Sequence, residues 1–261
     1  MKKGKKLYEG KAKIIYATSD KNLVIQYFKD DATAFNNQKK TTIEGKGVLN
    51  NRISEHILSN LSEVGIKNHL IKRINMREQL VKLVDIIPIE FIVINIATGS
   101  LTKRLGIEEG TVLERPLIEY CLKDDKLGDP IISREHILTF NWLNVMQLDW
   151  IDENLSRLND FLLGMFRGVG IKLVDFKVEF GFTHESEKTQ IILADEISPD
   201  TCRLWDTLTD KKLDKDRFRK DLGDLIPAYT VVAKRLGILH EQSNVSAVNV
   251  TQLSSVKRKK K

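Results

Sequence analysis

Between Ile171 and Phe182 the chain alternates regularly enough to be read as one β-strand with two unlike faces. Val174, Phe176, Val178, Phe180 and Phe182 form an apolar row for a core, whereas Asp175, Lys177 and Glu179 set three ionisable groups on the other face. Residues two apart on a strand lie roughly 7 Å from each other, so neighbours on that face can share one small charged ligand or metal ion. A solvated outer face produces the same alternation. The continuation favours a site: after the polar turn His184 to Lys188, a second apolar run, Ile191 to Ala194, leads into Asp195, Glu196, Ser198, Pro199 and Asp200. As a hairpin, this segment brings Asp195 back toward Lys177 and Glu179, with the register open by a residue or two. Two carboxylates facing one cleft, with a lysine between them, suit Mg2+ and phosphate. Nucleotide-bound Mg2+ commonly takes only one or two protein carboxylates, and phosphate oxygens and water complete its shell.

A chain of 261 residues, 41% of them hydrophobic, can bury a core large enough for one large domain or two lobes. The longest apolar stretch, Ile86 to Ala97, is broken by Pro88, Glu90 and Asn95 and is too short to span a bilayer, so no membrane partner is expected. No apolar run follows the N-terminal lysines, which predicts no secretory signal. Cys121 and Cys202 are the only cysteines and give no disulfide framework, as fits a reducing cytoplasm. The net charge is +6, yet Lys2, Lys3, Lys5 and Lys6 together with Lys257, Arg258, Lys259, Lys260 and Lys261 carry nine positive charges, which leaves the body between them at −3. Basic ends attract RNA or phosphate without specificity, and a specific nucleic-acid partner is not expected.

Leu7 to Thr18 and Leu23 to Phe28 flank the turn Ser19 to Asn22 and predict an antiparallel hairpin. Lys11 and Lys13 beside Gly10 are either an exposed face or two point charges for nucleotide phosphates. Leu49, Ile53, Ile57, Leu61 and Val64 recur at helical spacing and Gly65 follows as a cap, so 48–64 reads as a packing helix. The runs His69 to Ile74, Gln79 to Val84 and Ile89 to Ala97 read as further strands of the same N-terminal sheet, with Asp85 to Pro88 as a connector. Gly99 and Ser100 stand where a strand gives way to a short helix, and Glu108 to Asp129 reads as an irregular excursion with a short strand at 120–123. Asn144 to Val169 has the pattern of a long amphipathic helix closed by Gly170. A last helix is expected over 222–236, and 241–261 reads as a flexible basic extension.

The string Leu173 Val174 Asp175 Phe176 Lys177 Val178 Glu179 Phe180 Gly181 resembles a signature of the SAICAR synthetases, and the resemblance runs from Leu7 to about Leu239. It extends through Gly10-Lys11-Ala12-Lys13, through Lys29 to Asn37 as a loop before the first helix, through Ala97 to Gly106, and through Ile197 to Asp206. One departure is visible. The family strand of the form Val-Val-Arg-Asn has an arginine where this chain has Ile94. Another cation would then take its role, Arg104 and Arg203 being the candidates.

The resemblance implies an α+β fold in two lobes, an N-terminal, mostly antiparallel nucleotide-binding lobe over 1–86 and a larger C-terminal α/β lobe over 87–240, with the ATP cleft between them. It implies an ATP-dependent ligase that joins L-aspartate to 5-amino-1-(5-phosphoribosyl)imidazole-4-carboxylate through an acyl phosphate, in purine biosynthesis, as a cytoplasmic homodimer. Lys11, Ala12, Lys13, Lys82, Ile86 and Lys123 would meet ATP, with the connector touching adenine through its backbone. Gly99, Ser100, Asp129, Asp200 and Arg203 would meet the other substrates. Glu179 and Asp195 would hold Mg2+, and Lys177 would stabilise charge at the accepting carboxylate, oriented by Asp175. A small-molecule kinase with a related ATP cleft is the alternative, and an RNA-binding protein would depend on the basic ends instead.

Overall fold

The structure is a computed structural model and describes residues 2–34, 39–183 and 189–239. The turn His184 to Lys188, the end of the loop at Phe35 to Asn37 and the extension over 241–261 lie outside the described residues.

β1 (Lys6–Glu9), β2 (Lys13–Ala17) and β3 (Leu23–Phe28) form an antiparallel meander. Its second turn is held locally, with the Thr18 hydroxyl accepting the Asp20 N–H and the Asp20 carboxylate accepting the Asn22 N–H. β4 (Asp31–Ala34) and β5 (Lys39–Thr42) pair with each other, and α1 (Lys46–Glu63) follows. β6 (Leu70–Arg73) and β7 (Glu78–Lys82) then complete a five-stranded sheet in the order β1-β2-β3-β7-β6. The helix expected from the Leu49 to Val64 spacing is α1, and Gly65 ends it at φ 80°, a conformation that costs glycine little.

The chain next forms β8 (Asp85–Ile86), β9 (Ile89–Ile96), α2 (Ser100–Leu105), β10 (Val112–Leu122) and β11 (Ile131–Ile132). After α3 (Arg134–Thr139) and α4 (Val145–Gly168) come β12 (Ile171–Thr183), β13 (Gln190–Ala194), β14 (Cys202–Asp206), α5 (Asp216–Arg219) and α6 (Leu225–Arg235). The second sheet runs β11-β10-β9-β12-β13, with β8 and β14 also paired to β12. Two expectations are corrected here. The run Ile89 to Ala97 belongs to this sheet, between β10 and β12, and not to the N-terminal one. Glu108 to Asp129 is no irregular excursion, because β10 is an eleven-residue strand.

β12 is the spine of the molecule. Its first half lies between β9 and β14, and its second half between β8 and β13. The pairing advances from Leu173↔Leu204 to Asp175↔Arg203, so two residues of β12 face one step of β14 and Val174 is the extra residue of a β-bulge. The bulge shifts the parity of the strand. Ile171 and Leu173 share the main core with Phe176, Val178 and Phe180, and Phe182 is half-buried at the rim of the expected row.

α4 starts with a reciprocal cap in which the Asn144 and Gln147 side chains each accept the other residue's N–H at 2.9 Å. It packs on β12, with Leu148, Ile151, Leu155, Leu158, Leu162 and Phe166 buried. One hydrophobic cluster joins these residues to Ile53, Ile57 and Leu61 of α1 and to Tyr229 and Val232 of α6. The core therefore runs from the first helix to the last.

Candidate active site

Two cavities open beside the polar face of β12. The first, about 360 Å3, has an apolar wall made by Ile15, Val24, Val81, Val84 and Ile86 and a charged end made by Lys13, Lys123, Glu179 and Asp195. The second, about 400 Å3, is polar and collects Lys177, Asp175, Ser100, Asp200, Arg203, Lys215 and Arg219. Lys13 and Asp195 line both.

Backbone pairing sets this geometry. Glu179 lies opposite Ala194 in the β12–β13 ladder, which puts Asp195 just past the end of the pairing and on the cleft side. Asp195 has φ 64°, a left-handed conformation that Asp tolerates better than most residues. The hairpin expected from the sequence thus delivers its carboxylate beside Glu179. β8 pairs with Gly181 and Phe182, and this holds the connector Asp85–Ile86 along the first cavity. A Cβ on Gly181 would meet Val84 at 2.9 Å and the Asp85 carbonyl oxygen at 3.0 Å, so glycine permits that approach.

Each carboxylate of the first cavity has a lysine. Lys123 Nζ lies 2.6 Å from Glu179 Oε2, and Lys13 pairs with Asp195 and, at 3.0 Å, with Glu196. Burial alone would raise the Glu179 pKa, but Lys177 and Lys123 outweigh it and hold the carboxyl below its usual range. Lys177 donates to Glu90 Oε1 at 2.6 Å and stands 3.7 Å from Glu179. Burial would lower its pKa, and Glu90 and Glu179 lift it above the usual lysine value, so the group is an ammonium. Asp175 does not orient Lys177 as expected. It accepts from Arg203 at 2.8 Å, and Glu90 takes the part expected of it. Burial raises the Asp175 pKa, with Arg203 opposing.

In the second cavity Arg203 also reaches Asp216 at 3.2 Å, and Arg219 reaches the other oxygen of Asp216 at 2.7 Å. Gly99, at φ 61°, lies against the Arg203 guanidinium, which a Cβ would approach to 3.0 Å. Lys82 and Ile86 line the first cavity. Lys11 and Ala12 instead line the second, and Lys11 pairs with Asp125 at 2.6 Å. Asp129 lines neither of these two cavities. Ile94 is buried with Ala97 and Leu101, and Arg104 pairs with Glu119 away from both cavities.

Lys215, Arg219, Glu90, Glu196 and His69 were missed, because only long-range pairing brings them to the cleft. His69 lines the first cavity, and its Nε2 has no hydrogen-bond partner among the described residues. A sequence signal existed for Lys215 and Arg219 alone, in the basic cluster Lys215 Asp216 Arg217 Phe218 Arg219.

The donor set fits Mg2+. Glu179 and Asp195 offer carboxylate oxygens in one cavity, both matched by cations, although no group of three or more His, Cys, Asp or Glu side chains is placed to hold a metal ion among the described residues. Two carboxylates plus phosphate oxygens and water are an ordinary Mg2+ environment in nucleotide sites.

The SAICAR synthetase family model matches residues 6–236. A phosphoribosylaminoimidazole-succinocarboxamide synthase of Pelagibacter ubique is 78% identical over 260 residues, covering 100% of both chains. The crystal structure of the Ehrlichia chaffeensis synthase is 51% identical with a TM-score of 0.89, over 91% of this chain and 100% of that one. A SAICAR synthetase solved in complex with ADP is 42% identical with a TM-score of 0.85, over 90% of this chain and 99% of that one. With a match that runs from β1 to α6 and two cavities joined at Lys13 and Asp195, the chain belongs to the SAICAR synthetase family, ATP-dependent ligases of purine biosynthesis.

Proposed function

We propose that the first cavity takes ATP and the second takes the imidazole carboxylate ribonucleotide and L-aspartate, with phosphoryl transfer where the two meet. The observation that carries this division is the sharing of Lys13 and Asp195 by an apolar cavity and a cation-rich one. A nucleotide with its base against Val24, Val81 and Ile86 would bring its phosphates to Lys13 and Lys123. The ADP complex of the 42% identical relative supports nucleotide binding by this fold.

A carboxylate resists amine attack because it is anionic and lacks a leaving group. Its oxygen attacks the γ-phosphorus, ADP departs, and the aspartate amine then attacks the acyl carbon. Phosphate leaves and the nitrogen loses a proton. Such chemistry asks the protein for positioning and charge neutralisation. Lys177, fixed as an ammonium by Glu90, neutralises the accepting carboxylate. Asp175 holds Arg203 for an anionic substrate group, and Ser100, Lys215 and Arg219 complete that side. Gly99 lets Arg203 lie close, and Asp200 lines the same cavity. Glu179 and Asp195 would hold Mg2+, which supplies charge neutralisation on the phosphates when bound. Lys11 and Ala12, which line the second cavity from the turn between β1 and β2, would cover the transferring phosphoryl group and limit its loss to water. The protein works in the cytoplasm as a homodimer on this reading.

The deciding experiment measures ADP release from Mg-ATP and the ribonucleotide with and without L-aspartate, following the succinocarboxamide in parallel. Both products should form together and depend on aspartate. ADP release with a stable phosphorylated product and no succinocarboxamide would mark a kinase. Glu179→Gln and Asp195→Asn should each lower turnover by at least about a hundredfold while the protein stays folded.

A further inference from the structure

Lys46 opens α1 and is fully buried, with Nζ 2.6 Å from Asp200 Oδ2. Tyr229 of α6 donates its hydroxyl to Asp200 Oδ1 at 2.6 Å, and the Asp200 N–H donates to Ser198 Oγ. Lys46 and Tyr229 are not among the residues that line the second cavity, whereas Asp200 is. The carboxylate is therefore gripped at both oxygens by residues set away from that cavity.

On the cavity side stands Lys215, whose Nζ is 3.9 Å from the same Oδ2 and makes no hydrogen bond among the described residues. Asp200 thus has two ammonium groups within reach. The nearer one holds it, because Lys46 adds a hydrogen bond at 2.6 Å to the charge attraction, whereas 3.9 Å is beyond hydrogen-bond reach. The charges follow this order. Burial alone would lower the Lys46 pKa, but Asp200 and Glu196 hold it above the ordinary value. Lys215 is held below its ordinary value by burial, which Asp200 only partly offsets.

We propose that Lys46 and Tyr229 are positioning residues that occupy Asp200 from behind, so that Lys215 remains available, with Arg203 and Arg219, to an anionic group of a substrate. This rests on the reading of the second cavity given above. The chemistry recognised is a phosphate or carboxylate, which the ribonucleotide and L-aspartate both offer. Without Lys46, Asp200 draws in Lys215 and the cavity loses a free cation.

The test measures KM for ATP, the ribonucleotide and L-aspartate in Lys215→Met, Lys46→Met and Tyr229→Phe. Lys215→Met should raise the KM of one anionic substrate by about tenfold or more, and the substrate that responds identifies the anion. Lys46→Met should raise that same KM by a similar factor and leave the ATP KM within about twofold. If Lys215→Met moves neither KM, the reading of the cavity falls and the proposal with it. If Lys215→Met moves one and Lys46→Met does not, the positioning role alone is overturned. Should Lys46→Met fail to fold, Tyr229→Phe decides: a severalfold rise in the same KM is expected, and an unchanged KM overturns the role. The pH profile separates positioning from support of the fold. Lys215 is faced by Asp200, Glu196, Arg219 and Lys46, so removal of Lys46 raises its pKa and shifts the pH dependence of that KM upward. A purely structural Lys46 would lower melting temperature and kcat without moving that profile, and this outcome too overturns the proposal.

Discussion

His69 is a buried imidazole whose pKa burial pushes down to about 3, with Lys13 adding to the effect and Glu179 opposing it. The unfolded chain binds a proton near pH 6.5 that the folded chain refuses until about pH 3. Stability on this account is complete above the unfolded value and is lost as the pH falls below it, by about 1.4 kcal/mol per pH unit. His69→Gln should remove that slope. In urea unfolding at pH 7 and pH 5, wild type should lose on the order of 2 kcal/mol more than the variant. Equal losses would clear His69 of the effect. Arg203, Lys215 and Arg219 already line the second cavity, and Ile94 is packed with Ala97 and Leu101, so Ile94→Arg should lower the ribonucleotide KM by no more than about twofold. A tenfold drop would show that the cavity lacks a cation there. Asp175, Lys177 and Glu179 were legible because a strand repeats every two residues and three charges on one face stand out. Glu90, Lys46 and His69 were not, since each meets its partner across a sequence separation that no local period encodes.

Among the elements, β12 was read correctly as a strand and its bulge at Val174 was not, because one extra residue leaves no mark on an alternating sequence. β9 was assigned to the wrong sheet for a related reason. An apolar run with β-forming residues announces a strand but not its neighbours, which are chosen by the fit of long-range pairs. The helices fared better, because Gly65 and Gly170 mark their ends and their apolar stripes are continuous. One exacting contact between elements is Gly181 against the connector. Gly181→Ala should force Val84 and Asp85 away, cost about 1–3 kcal/mol, and weaken ATP binding at least about threefold. Calorimetric titration with ATP measures the affinity, and an unchanged Kd would separate the connector from nucleotide binding.

At the scale of the whole molecule the two sheets are separate, and the main core draws on α1 as well as on the second sheet. Ile53, Ile57 and Leu61 of α1 pack in the same cluster as β9, β12 and α4. A fragment ending at residue 86 should therefore fail to fold alone, and the full chain should melt in one transition by both far- and near-ultraviolet circular dichroism. Two separated transitions would show that the sheets are independent. The same scale gives the pairing of Lys13 with Asp195 and of Lys123 with Glu179 a further meaning. The cleft behaves as an ion exchanger with its own counter-ions built into the chain. If Mg-ATP binds as proposed, Lys13 and Lys123 would exchange carboxylates for phosphates, and Glu179 and Asp195 would be freed to hold the metal. Partners would change, and each of these four groups would keep an opposite charge beside it.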